Sequence, residues 1–104
     1  MLSLFFAAAC SPSVHVTRLA ATPYAARASD YPIAIFREAR PRCPFDELAV
    51  VSARPMTMFQ VGDALIETLR VKAREIGGDA ITGLTLDASY SGTVIRYKSA
   101  DCRE

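Results

Sequence analysis

The sequence predicts an α+β fold: a two-layer β-β-α-β-β sandwich, with one amphipathic helix on a small, mainly antiparallel sheet. Three observations carry this reading. A single helical stripe stands out, with Val61, Leu65, Leu69, Ala73 and Ile76 at spacings of four and three. Short runs rich in β-branched and aromatic residues lie on both sides of it, two before and two after. One helix can cover only one face of one sheet, which gives two layers.

The domain is expected to begin near Tyr31, with a first strand over Ile33–Arg37. Pro41 and Pro44 bracket Cys43 and hold it in an extended connection, because proline excludes the helical region for the residue before it. A second strand is expected over Glu47–Ala53, around Leu48, Val50 and Val51, and Pro55 stops it. The helix runs from about Val61 to Ile76, with Ile66 beside its stripe. Asp63 and Glu67 lie in its first half and Arg70, Lys72 and Arg74 in its second, the order that suits the helix dipole. Gly77-Gly78 supplies a left-handed stop.

After the helix, Asp79–Leu86 reads as a third strand, with Leu84 and Leu86 on one face. Asp87–Gly92 is a turn rich in Ser, Asp and Gly. Thr93–Lys98 is a fourth strand, with Ile95 and Tyr97 facing one way and Arg96 and Lys98 the other. Their short connection makes the last two strands an antiparallel hairpin. Tyr90, in the turn, is the one exposed-looking aromatic. It is a candidate contact point for a partner, set against a packing role.

The chain has 104 residues, enough for one domain. Its net charge is +1, with no basic stripe or Lys/Arg cluster, so it carries no electrostatic footprint for nucleic acid. Nor is there a polybasic patch for anionic lipid.

Residues 2–9 read Leu-Ser-Leu-Phe-Phe-Ala-Ala-Ala and run directly into Cys10 and Ser11-Pro12-Ser13. An apolar run this short cannot span a bilayer, which takes about 20 residues. It fits the hydrophobic region of a signal peptide, with small residues before the break. Ala7-Ala8-Ala9-Cys10 resembles the lipobox of bacterial lipoproteins, with Ala7 where that family usually has leucine. The resemblance implies a signal peptide over 1–9 and cleavage before Cys10, which would carry a diacylglycerol thioether and an N-acyl chain. Several acyl chains, at about 0.8 kcal/mol per buried CH₂, make a stable membrane anchor where one would not. Ser11 resembles the outer-membrane sorting choice, which implies a domain facing the periplasm. The alternatives are a plain cleaved signal or a buried N-terminal element with a core cysteine.

Residues 11–30 are rich in Ala, Ser, Thr and Pro and show no sustained period. They read as a flexible tether, so that 10–30 comprises the lipidated cysteine and its linker and 31–104 the domain. A coil of that length spans about 25 Å. Val14, Val16 and Leu19 offer a short edge strand as an alternative. His15, the only histidine, reads as a solvated residue.

Three cysteines are an odd number for an exported protein. If the lipobox resemblance holds, lipidation removes Cys10 and leaves Cys43 and Cys102, which flank the domain. A disulfide between them would close nearly the whole domain into one loop, worth about 4 kcal/mol as an upper figure. That matters for a core this small, because a domain of about 60 residues buries only about 60% of its unfolded surface. The competing readings are free thiols, a metal site or a redox thiol. A metal site needs three or four ligands, against two thiols and one distant histidine. A catalytic cysteine needs a histidine partner or a C-x-x-C pair, and neither is present.

The stretch from Leu69 to Leu84, Leu-Arg-Val-Lys-Ala-Arg-Glu-Ile-Gly-Gly-Asp-Ala-Ile-Thr-Gly-Leu, resembles a pattern of small envelope proteins in which a helix ending in xLRxxAxxLGADAV enters a strand. The upstream Arg42–Ser52 segment is similar to the RPYEELGxVS strand before that helix. Proteins with this layout include bacterial envelope lipoproteins and, more distantly, the Rcs stress-sensor lipoprotein and the YbjQ-like family. Ala49 stands where the pattern often has Gly, and Gly78 where it often has Ala. The resemblance implies the fold. It carries over no ligand set and no signalling role, because the cysteines and ligand clusters for those are missing.

Enzyme templates find no match: there is no G-x-S-x-G, H-E-x-x-H, Walker A or dinucleotide fingerprint. Gly77-Gly78 ends a helix, whereas phosphate loops begin one. Asp46 and Glu47 point to opposite faces of a strand, and Asp63 and Glu67 share a solvated helical face. The expectation is a non-enzymatic module with no catalytic residues, no metal and no cofactor. It would be tethered to the membrane and bind or support another envelope component. The alternatives are a metal- or redox-responsive sensor using Cys43 and Cys102, and a small self-assembling envelope protein.

Overall fold

The structure is a computed structural model that describes residues 13–55 and 62–102. The elements in chain order are β1 (Ser13–Arg18), β2 (Ala34–Ile35), β3 (Phe45–Arg54), α1 (Asp63–Ile76), β4 (Ala80–Leu86) and β5 (Tyr90–Tyr97). They form an α+β fold in which one sheet has the order β1-β3-β5-β4-β2. The helix packs against the three central strands, β3, β5 and β4. Antiparallel ladders join β1 to β3, β3 to β5 and β5 to β4. Among the described residues only β2 pairs in parallel, with β4. It follows that β3 and β4 run the same way, α1 connects them, and β5 lies between.

The apolar stripe does what its spacing implies. Leu65, Ile66, Leu69, Ala73 and Ile76 are all buried, and they meet Ala49, Val51 and Ala53 of β3, Ile81 and Leu84 of β4 and Val94 of β5. Val61 lies outside the described residues. Gly62, at a positive φ of 66°, precedes the first helical residue. At the other end Gly77 adopts the left-handed conformation, and its N–H donates to the Ala73 and Arg74 carbonyls. The N–H of Gly78 also donates to the Ala73 carbonyl, so carbonyls that the helix leaves open are satisfied.

Two bulges explain burial that simple alternation does not. In β3 the register shifts between Glu47 and Ala49, so Leu48 and Ala49 are buried in succession. In β4 the register shifts between Thr82 and Thr85, and Gly83 takes a positive φ of 62° there. The Leu48 carbonyl accepts hydrogen bonds from the N–H groups of both Leu19 and Ala20. The β3 bulge is therefore where the chain leaves β1.

A second, smaller cluster occupies the sheet face away from α1. Ala80, Ile95 and Tyr97 are buried there with Cys43, and Ala34, Phe36, Phe45 and Cys102 pack against them. The connection from β2 to β3 and the segment after β5 provide this cover, and a disulfide between Cys43 and Cys102 joins the two.

Several expectations change in detail. The first predicted strand, Ile33–Arg37, shrinks to Ala34–Ile35. It lies at the sheet edge and is tied by the Phe36 N–H to the Ile81 carbonyl. The hairpin turn, expected over Asp87–Gly92, is confined to 87–89, and β5 begins at Tyr90. Leu84 joins the core, whereas Leu86 is exposed.

The largest correction concerns the expected tether over 10–30. Ser13–Arg18 form an edge strand along β3, with Val14 and Val16 packed against the core and His15 exposed. The chain then crosses the C-terminal half of α1 as a strap leading to β2 at the opposite edge. The Arg27 N–H donates to the Arg74 carbonyl, and Arg70 and Arg74 donate in turn to the carbonyls of Ile33 and Tyr31. The strap shows no apolar period because polar contacts to distant residues hold it.

Candidate functional site

The strap, the end of β5 and the turn between α1 and β4 meet at a cleft of about 380 Å³, lined by Arg27, Tyr31, Asp79, Arg96, Tyr97, Lys98, Ser99 and Ala100. Each group arrives for a local reason. The Gly77-Gly78 stop turns the chain sharply, so Asp79 is presented inward before β4 begins. Tyr97 and Lys98 lie at the end of β5 on opposite faces, as strand alternation requires. Arg27 and Tyr31 come from the strap.

Asp79 is the centre of the arrangement and is buried. Its Oδ1 accepts from the Arg27 guanidinium at 2.8 Å and from the Tyr31 hydroxyl at 2.6 Å. Its Oδ2 accepts from the Tyr97 backbone N–H at 2.9 Å. The Asp79 N–H donates to the Ile95 carbonyl at 2.7 Å. Arg27 also lies over the Tyr31 ring, 4.5 Å from its centroid. A buried carboxylate is tolerated only when paired and hydrogen-bonded, and this one is.

Beside this centre, Arg96 donates to the Gly77 carbonyl at 2.9 Å and lies over the Tyr24 ring at 4.4 Å. It places positive charge at the negative end of the α1 dipole. Lys98 pairs with Asp46 at 2.7 Å, and hydrogen bonding to that carboxylate raises the Lys98 amine above its ordinary value. The described cations of the cleft, Arg27, Arg96 and Lys98, are thus each engaged by a carboxylate, a carbonyl or a ring. What the cleft offers chemically is a set of fixed donors around a carboxylate whose two oxygens are both occupied.

The structure places the sequence-derived candidates as follows. Cys43 and Cys102 are joined in a disulfide with a Cα–Cα distance of 5.8 Å, and Cys43 is buried. Tyr90 is not in an exposed turn. It is the first residue of β5, half-buried against the core, and its hydroxyl accepts the Gly62 N–H at 3.2 Å. That bond satisfies a donor at the start of α1. His15 is exposed on β1, in a shallow groove with Ser13, Ser52, Arg54 and Ser89. Cys10, Ser11 and the apolar run over 1–9 lie outside the described residues. Among the described residues, no group of three or more His, Cys, Asp or Glu side chains is arranged to hold a metal ion, and no helix is long and apolar enough to cross a membrane.

Sequence reasoning missed Asp79, Arg27 and Tyr31 as a unit. One signal for Asp79 is visible: an acidic residue directly after a glycine pair, at the mouth of a strand, is in a place where burial demands partners. Nothing local identifies those partners, because Arg27 stands 52 residues and Tyr31 48 residues away.

Comparison of the chain with protein-family models, with curated proteins and with solved structures finds no match.

Proposed function

We propose that this chain is a lipid-anchored module of the bacterial cell envelope, attached through Cys10 and acting by binding or support, with no covalent chemistry of its own. The observation that carries the reading is the Cys43–Cys102 disulfide. Structural disulfides persist in oxidising compartments and are rare in the cytosol. Pairing these two also leaves Cys10 as the odd thiol, at the position where Ala7-Ala8-Ala9-Cys10 resembles a lipobox.

The chemistry of the cleft supports the non-catalytic part. Asp79 has both oxygens engaged, so it is poorly placed as a general base, which must be free to reach a substrate proton. Positioned cationic and hydroxyl donors suit contact with another envelope component. Ser11 after the anchor points to the outer membrane, with the domain in the periplasm.

Growth with an alkyne analogue of palmitate tests the anchor. The expected result is a labelled chain in the membrane fraction, and loss of both label and membrane association in Cys10→Ser. An unlabelled wild-type chain in the soluble fraction would overturn it. Crosslinking in intact cells followed by purification tests the binding role. A protein captured by wild type and lost when Lys98 and Ser99 are both replaced by alanine is expected. Thiol titration of the native protein separates this reading from a redox sensor, which requires two reactive thiols.

A further inference from the structure

We infer that the domain stands on the membrane in one orientation, with the sheet end formed by Ser13, Arg54, Leu86 and Tyr90 against the lipid headgroups and the Asp79 cleft pointing away. This rests on the lipid-anchor reading and names the surface through which the anchored domain meets its membrane. A flexible linker over 11–30 would have let the domain tumble freely. The structure removes that freedom, because β1 already begins at Ser13 and pairs with β3 over its whole length. Only three residue steps separate Cys10 from Ser13. At most about 3.6 Å per step, they reach about 11 Å. Acyl chains on Cys10 enter the bilayer at the headgroup boundary, so the start of β1 cannot stand far above it.

Strand pairing then defines which surface is held down. Ser13 lies opposite Arg54, Ala53 opposite Tyr90, and Tyr90 opposite Leu86. The first turn of α1 is at this end too, through the Gly62 N–H bonded to the Tyr90 hydroxyl. Among the described residues Leu86 is one of the few large apolar side chains left exposed, and it lies on this rim. The described part of the rim carries Arg54, Asp63 and Asp87, a mixed set of charges with no excess of cations to attract anionic lipid. Orientation is therefore set by the short leash, with Leu86 as the exposed apolar side chain it brings to the headgroups.

The opposite end of the sheet is where Phe45 pairs with Tyr97 and where Asp79 contacts Tyr97. The eight-residue β5 separates the two ends by about 25 Å. Arg27, Arg96 and Lys98 are thereby presented at the distal end, to whatever lies beyond the membrane surface.

The chain contains no tryptophan, so single-tryptophan probes report without background. Ala88, in the β4–β5 turn, and Ala100, in the cleft wall, are both exposed alanines at opposite ends. Ala88→Trp and Ala100→Trp proteins are labelled with the palmitate analogue in cells, purified from membranes and reconstituted into phosphatidylcholine vesicles containing a headgroup-nitroxide lipid. The expected result is loss of most emission at position 88 and none at position 100. The pattern should be the same in vesicles with phosphatidylglycerol added and in high salt. A flexible glycine-serine insertion between Pro12 and Ser13 should shrink the difference between the probes. Labelled protein with equal or reversed quenching, or a difference that survives the insertion unchanged, would overturn the orientation and leave the anchor standing. Absence of label would overturn the anchor, and the orientation with it.

Discussion

Asp79 and Arg27 form an ion pair at 2.8 Å across 52 residues of sequence, joining the turn after α1 to a strap that crosses the same helix. The Asp79 side chain is 7% exposed and that of Arg27 22%, so the pair is largely removed from water. With Tyr31 on the same oxygen and the Tyr97 N–H on the other, Asp79 holds three parts of the chain together. Removing one partner of a buried pair costs more than the pair is worth, because the other charge is left stranded. Asp79→Ala is therefore expected to lower stability by about 3–5 kcal/mol. Asp79→Asn, which keeps the shape and loses the charge-assisted bonds, should cost about 1.5–3 kcal/mol. Urea unfolding measures both. Limited trypsin digestion should show earlier cleavage after Arg27 in each variant, and a strap that stays protected would contradict the pinning role.

The Cys43–Cys102 disulfide closes a loop with a sequence separation of 59. By the chain-entropy argument such a loop is worth about 4 kcal/mol. The double replacement Cys43→Ser with Cys102→Ser should lose up to that amount. The effect should be larger than for an exposed staple, because Cys43 is buried in the cluster with Ile95 and Tyr97. Denaturant midpoints with and without reductant give the measurement, and an unchanged midpoint on verified reduction would exclude a stabilising role.

The glycine pair after α1 is fixed by two different constraints. At Gly77 the φ of 92° disfavours any side chain, and a Cβ would also meet the Ala25 carbonyl at 2.7 Å. At Gly78 the backbone is ordinary, but a Cβ would collide with Val94 Cγ1. Gly77→Ala should cost about 1–2 kcal/mol from the left-handed conformation alone, and more because it forces the strap outward. Gly78→Ala should cost about 1–3 kcal/mol as overpacking. Combining Gly78→Ala with Val94→Ala should recover part of that loss, since the smaller side chain vacates the space. A double variant no more stable than the sum of its parts would contradict the steric account.

Tyr90 tests whether the start of α1 depends on a tertiary cap. Gly62 has no side chain to cap the helix, and its own N–H donates to the Tyr90 hydroxyl. Tyr90→Phe removes that acceptor and keeps the ring. The expected cost is about 0.5–1.5 kcal/mol in thermal or urea unfolding. Amide exchange at Gly62 should quicken with little change at Leu69 in mid-helix. Equal exchange at Gly62 in the two proteins would show that the bond does not form in solution.

Much of this fold was legible because it is written locally. The helix announces itself through Leu65, Leu69, Ala73 and Ile76, and its end through Gly77-Gly78. The hairpin of β4 and β5 is legible for the same reason, since partners close in sequence need only a turn between them. The alternation of Ile95 and Tyr97 against Arg96 and Lys98 also places side chains on the correct faces, with Arg96 reaching the helix end and Ile95 and Tyr97 in the opposite cluster. What could not be read is what distant residues impose. Val14 and Val16 offered an edge strand only as the alternative to a tether, since two valines are too few to define one on their own, and β1 forms because β3 supplies the ladder. The strap looks like a linker because its anchors, Arg27, Tyr24 and Tyr31, are polar or isolated. A hydrophobic period cannot register an ion pair. The bulge at Leu48 also breaks alternation, which hides the link between β3 and the strap.

The lipid-anchored, oxidised envelope module is the claim on which the functional account depends, and the intact mass of the protein extracted from membranes tests it most directly. The account predicts a chain starting at Cys10, heavier by a diacylglyceryl and an acyl group, and lighter by two hydrogens for the Cys43–Cys102 bond. A chain of full length, bearing no lipid and three free thiols, would contradict it.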